Sequence, residues 1–236
     1  MSDVSKWSFG FVATAAFVVF SYFWLDRPIA LLAHAELSRF PFFEYMTRIP
    51  ELLPLIAIVA FAALGLRVLS GQPLSRWETV LLLSGVSFVV AEMVKSQLKY
   101  AFGRTWPETW INNNPSFIHD GVFGFNPFHG GGGFASFPSG HTTAVCAVVS
   151  VLWICYPRFR MVYAAAVAVV TIGLVGANFH FVSDVAAGAF LGISAGWLAV
   201  TLWERGDHHL REQDQVPSGL AAEPSVAAKS AADQIS

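Results

Sequence analysis

Six apolar stretches dominate this chain, and each is long enough, alone or with its flanks, to cross a bilayer. A helical crossing needs about 20 residues, with a range of roughly 17–25. The stretches run from Trp7 to Leu25, Leu52 to Leu69, Thr79 to Ala91, Thr142 to Tyr156, Met161 to Phe179 and Val185 to Trp203. The third is short, but Glu92-Met93-Val94-Lys95 follows it without a helix breaker, so the helix is expected to run on toward Phe102. The fourth stops at Pro157. Hydrocarbon offers no hydrogen-bond partner to a free backbone group, so the runs must be helices. Composition points the same way: 55% of residues are hydrophobic and only 13% charged, against roughly 25% charged in an ordinary soluble domain. Mean hydropathy is +0.54. The expected fold is all-α, a polytopic membrane bundle of about six transmembrane helices. A formal net charge of -2 leaves no basic footprint, so nucleic acid is not an expected partner.

Trp7 to Leu25 is longer than the roughly 7–15 residues of a signal-peptide core, and Asp26-Arg27 separates it from Ala33-His34-Ala35. It is therefore expected to stay as a span. Cys146 and Cys155 would lie roughly 13 Å apart along a helix, too far for a bridge, and read as small buried hydrophobes. From Tyr100 to Phe137 the chain is rich in Gly, Pro, Asn and aromatic residues, and a loop of that length is usually functional. The organisation expected is a membrane domain over residues 1–204, with its active-site loop at 100–141, and a disordered cytoplasmic tail over 205–236. The short connection from Pro157 to Arg160 carries two arginines, while the turn after Phe179 carries none. Positive charge stays in the cytoplasm, which puts both termini there and the loop outside.

The polar residues beside the membrane carry the chemistry. Lys99 and Arg104 flank the end of the third run, where two cations can converge on one anion; snorkelling at a helix end is the plainer reading. Pro138-Ser139-Gly140-His141 immediately precedes the fourth run. Ser139 suits an N-cap, the amides of Ser139 and Gly140 would point at an anion, and His141 in the first turn can exchange a proton. His180 and Asp184 are spaced i and i+4, on one helical face. A carboxylate on one imidazole nitrogen fixes the tautomer and leaves the other as nucleophile or base. His119, Asp120 and His129 fit no standard metal spacing and read as loop polarity. Cations, a helix start, a proton donor and an oriented histidine on one membrane face are what phosphoryl transfer through a phosphohistidine requires. That scheme needs neither metal nor cofactor.

These residues resemble the type 2 phosphatidic acid phosphatases, whose fold is shared with vanadium haloperoxidases. The family carries K-x6-R-P, P-S-G-H and S-R-x5-H-x3-D on a six-helix membrane bundle. Pro138-Ser139-Gly140-His141 matches in full, His180-x3-Asp184 matches the end of the third motif, and Lys99 with Pro107 keeps the frame of the first. The resemblance covers roughly residues 50 to 200. It implies an integral-membrane hydrolase of lipid phosphates or diphosphates, with His180 as nucleophile, Asp184 orienting it and His141 as acid. Lys99, Arg104, Ser139, Gly140 and Asn178 are the expected phosphate ligands, and the bilayer and its lipid phosphates the expected partners. Two departures stand out. The first motif's arginine position holds Trp106, and the third motif's Ser-Arg pair falls on Gly173-Leu174. Arg104 is expected to replace one missing arginine and Asn178, as a neutral donor, the other. A lipid phosphotransferase, or an impaired relative that only binds anionic lipid, are the alternatives.

Overall fold

The computed structural model describes residues 3–110 and 113–215, with side chains described from residue 4 to residue 206 of these. In chain order the helices are α1 (Asp3–Trp24), α2 (Asp26–Leu32), α3 (Pro41–Thr47), α4 (Leu53–Leu69), α5 (Arg76–Phe102), α6 (Phe117–Asp120), α7 (Gly140–Cys155), α8 (Arg160–Gly176) and α9 (Val182–Gln215). A π-helical turn at Ala33–Leu37 and a 3-10 turn at Ile49–Leu52 bracket α3. Five segments are long and apolar enough to cross a membrane: Val4–Trp24, Pro41–Leu69, Arg76–Phe102, Pro157–Gly176 and Val182–Gly206. The sixth expected span, α7, has 16 residues and is the shorter one. The fold is a polytopic, all-helical membrane bundle.

Contacts divide the chain after Val200. In the first unit, α7 forms the centre. Thr142 through Ala147, with Ser150 and Val151, are buried, and their small side chains let neighbouring helices come close. Ser87 of α5 donates its hydroxyl to the Ala147 carbonyl at 3.0 Å, tying α5 to α7 inside the apolar core. On α9, Gly188, Gly192 and Gly196 repeat every fourth residue and face α7. A Cβ at Gly188 would lie 2.6 Å from the Ser139 carbonyl oxygen, and one at Gly192 or Gly196 would collide with Thr143 or Ser150. Between lipid-embedded helices such close backbone approach is the main source of packing attraction. The outer surfaces of α1 and α4 carry exposed Phe, Val and Leu, the composition a lipid-facing surface requires.

The ends of α5 explain how it aims its polar residues. Ser75 and Glu78 form a capping box at its start, and Arg67 pairs with Glu78 at 2.9 Å. Gly103 closes the helix in the left-handed region, φ 56°. A side chain there would run into the Asn126 carbonyl, so glycine is required twice over.

Two expectations change. The loop after Phe102 is organised: it contains α6, a 3-10 turn at Gly132–Phe134 and bridges pairing Arg104 with Phe125 and Ala135. Past Arg205, where the tail was expected to begin, α9 continues to Gln215; Glu, Arg and Gln are good helix formers. Residues 216–236 of that expected tail lie outside the described residues.

Candidate active site

A cavity of about 460 Å³ opens between α5, α7 and the loops that flank them. Its polar wall is Lys95 and Lys99 of α5, Gly140 and His141 at the start of α7, and His180 ahead of α9. Its apolar wall is Pro50, Pro54, Phe88, Leu174, Phe179 and the indoles of Trp106 and Trp110. Four of the expected site residues, Lys99, Gly140, His141 and His180, therefore meet in one space although 81 positions separate the first from the last.

His180 sits in the turn between α8 and α9 with 4% of its surface exposed. Its Nδ1 lies 3.5 Å from Asp184 Oδ2. The carboxylate is itself held on every side. Oδ2 accepts the Ser136 hydroxyl at 2.6 Å and the Phe181 amide at 3.1 Å, and Oδ1 accepts Arg104 Nη1 at 2.5 Å. The start of α7 is fixed to the same point, because the Ser139 amide donates to the Asp184 carbonyl at 3.0 Å. Burial pushes the His180 imidazole down to about 4, against the opposing pull of Asp184. The ring is therefore neutral at neutral pH. Nδ1 also lies 3.4 Å from the Ser136 hydroxyl, and a proton on Nδ1 facing Asp184 would leave Nε2 a free lone pair.

Arg104, an expected phosphate ligand, does not line the cavity. It is fully buried and points the other way. Nη1 donates to Ser183 Oγ and Asp184 Oδ1, both at 2.5 Å, and Nη2 donates to Asp26 Oδ2 at 2.7 Å. Asp26 in turn accepts the Ser183 amide at 3.0 Å and hydroxyl at 2.5 Å. Tyr22, Phe123, Phe125 and Phe181 enclose the guanidinium, the nearest ring centroid at 4.4 Å. Two buried carboxylates need that charge, and the aromatic collar shuts it off from the cavity. The residue in the family's arginine position, Trp106, does line the cavity. Its ring stands 5.1 Å from the His180 ring and 5.6 Å from Lys99 Nζ, and its indole N–H donates to the Gly132 carbonyl at 2.7 Å.

Two further expected ligands are placed differently. Asn178 is buried in a left-handed turn, φ 58°, and its amide donates to Glu108 Oε2 at 3.2 Å. Glu108 also holds His34 at 2.8 Å, so Asn178 braces a loop and does not line the cavity. Ser139 is fully buried and makes no side-chain cap; its hydroxyl accepts from Thr142 at 3.1 Å. Only its neighbour Gly140 faces the cavity. In the loop, His119 bonds Asp120 at 3.0 Å while His129 packs on Phe134. Among the described residues no three His, Cys, Asp or Glu side chains cluster as metal ligands would.

Sequence reasoning did not single out Ser136 or the acids Glu51 and Glu92, which also line or support the site. Lys95 lies one turn before Lys99 on the same helical face and lines the cavity. Ser136 carries no signal beyond its nearness to Pro138.

Known proteins share part of this sequence. A lipid A 1-phosphatase of Rhizobium etli is 34% identical over 113 residues, which is 48% of this chain and 44% of that protein. One from Rhizobium johnstonii is 33% identical over 118 residues, 50% of this chain and 45% of that protein. The chain thus spans about half the length of the curated relatives it matches. A transmembrane PAP2-type phosphatidylglycerolphosphate phosphatase from Bacillus subtilis superposes with a TM-score of 0.47 at 23% identity, covering 86% of this chain and 96% of that one. The PAP2 superfamily model matches residues 80–206, more than half of the chain and the stretch that contains Lys99, His141, His180 and Asp184, and the chain belongs to that superfamily.

Proposed function

We propose that this protein is an integral-membrane phosphatase that hydrolyses a lipid phosphate or diphosphate monoester through a phosphohistidine at His180. The observation that carries the proposal is the neutral His180, braced by Asp184 behind it, on the wall it shares with Lys99 and His141. His180 Nε2 attacks phosphorus in line. The bond from phosphorus to the lipid oxygen breaks, and protonated His141 gives its proton to that oxygen. Neutral His141 then takes a proton from water as the water attacks phosphorus. The phosphorus–nitrogen bond breaks, inorganic phosphate leaves, and His180 is regenerated. Lys99 and the backbone at Gly140 offset the charge that builds on the phosphoryl oxygens. No step calls on a metal or cofactor. The apolar wall gives a lipid substrate a place for the part adjoining its phosphate.

The names of the Rhizobium relatives favour a lipid A phosphate as the first substrate to try. The test is phosphate release in detergent and EDTA from phosphatidic acid, phosphatidylglycerophosphate, a polyprenyl diphosphate and lipid A. Free phosphate from at least one, without added acceptor, is the expected result. Phosphate transfer only when an acceptor lipid is present would make the protein a phosphotransferase. Restoration by Mg²⁺ alone would overturn the metal-free scheme, and silence on every substrate would leave a lipid-binding relative.

The cavity is proposed to open outside the cytoplasm, with residues 205–236 inside. Gly131→Cys in the active-site loop should react with an impermeant thiol reagent in intact cells, and Gln72→Cys between α4 and α5 should not. The reverse pattern would place the substrate in the inner leaflet.

A further inference from the structure

We propose that Lys95 is a second phosphate-binding cation of this site, held by Glu92 until substrate arrives. This rests on the reading of the cavity as a phosphate site and adds to it the group that does the work of the missing arginines.

The cavity has a charge problem. Arg104 is occupied by Asp26 and Asp184, Trp106 stands in the first motif's arginine position, and Leu174 in the third's. Without Lys95, only Lys99 and a protonated His141 would face a phosphate carrying up to two negative charges beside apolar walls, and a buried charge without enough partners is costly. Lys95 is the other cation in the lining. It stands one turn before Lys99 on α5, so the two ammonium groups project from one helical face. Its side chain is 15% exposed and lines the cavity.

The head also sits where an anion held at the α7 start would need it. A Cβ added at Gly140 would lie only 3.3 Å from Lys95 Nζ, so the absence of a side chain at Gly140 makes room for the ammonium against the start of α7. Glu92 Oε2 holds that ammonium at 2.5 Å. Glu92 is 30% exposed and Glu51 also lines the cavity, while Lys99, His141 and His180 are the other titratable groups that line it. A dianionic phosphate offers Lys95 more charge than one carboxylate does, and Glu92 can return to water at small cost. Two ammonium groups one turn apart therefore select a terminal phosphate monoester over a singly charged phosphodiester.

Inorganic phosphate is the probe, and its concentration for half-maximal rise in melting temperature of the detergent-purified full chain is the readout. Lys95→Met should raise that concentration at least tenfold and lower kcat/KM by roughly 10- to 100-fold, with Lys95→Arg recovering most of both. Glu92→Gln should shift it the opposite way, toward tighter phosphate binding, which a merely structural role for the pair would not do. Glu92→Gln also keeps the test alive if Lys95→Met fails to fold. Wild-type phosphate response in both variants overturns the assignment of Lys95. Turnover of His180→Ala, assayed beside them, separates that outcome from failure of the phosphohistidine scheme itself.

Discussion

Replacing His180 with alanine is expected to take turnover to background in protein that remains folded. The imidazole is the only group on the polar wall that is both neutral and held from behind by a carboxylate. Its loss removes the nucleophile, and with it the two-step route. Asp184→Asn should cut kcat by several orders of magnitude, since an amide can leave the ring in the wrong tautomer. Ser136→Ala should cost less, roughly tenfold, because Asp184 keeps its bonds from Arg104 and the Phe181 amide. Phosphate release near the wild-type rate in purified His180→Ala would remove the mechanism.

Arg104→Ala should act on folding first. The guanidinium neutralises two fully buried carboxylates, Asp26 at the α1–α2 junction and Asp184 at the start of α9. Deleting it leaves both charges uncompensated inside the protein, a loss of about 3–5 kcal/mol for breaking a buried pair from one side. Its four aromatic neighbours would also face an empty space where a large side chain stood. The expected result is a large drop in melting temperature together with loss of activity. Arg104→Lys should recover only part of each, because one ammonium cannot span Asp26, Ser183 and Asp184 as the planar guanidinium does. Adding Trp106→Arg to Arg104→Ala should not help, since position 106 faces the cavity and cannot reach Asp26. Thermal unfolding in detergent, read alongside kcat/KM per folded molecule, decides it. A variant that melts like wild type and shows only a raised KM would make Arg104 a phosphate ligand after all.

Much of the fold was legible because hydrocarbon enforces it. A run such as Met161 to Phe179 has few ways to satisfy its backbone other than as a helix, and the structure places α8 over most of it. The close seam between α7 and α9 was harder to see. It depends on Gly188, Gly192 and Gly196 facing one partner, and the partner is known only once the bundle is packed. In the site, short-range patterns were the readable ones: His180 and Asp184 one helical turn apart, and His141 in the first turn of α7. The placement of Arg104 was not legible, because spacing from Lys99 says nothing about which way a side chain turns beyond Gly103. Its partners, Asp26 and Asp184, lie 78 and 80 positions away. Asp26, which closes the first apolar run, is buried and shares Arg104 with Asp184.

The most direct measurement is capture of the intermediate. His141→Ala should slow hydrolysis of the phosphoenzyme, because the base that activates water is gone. Incubating that variant with lipid labelled with ³²P on the phosphate, quenching in alkali and mapping the label should place it on the peptide containing His180. The label should survive alkali and be lost in acid, as a phosphorus–nitrogen bond requires, and be absent when His180 is also replaced. Label on any other residue, or label that persists when His180 is replaced, would contradict the account.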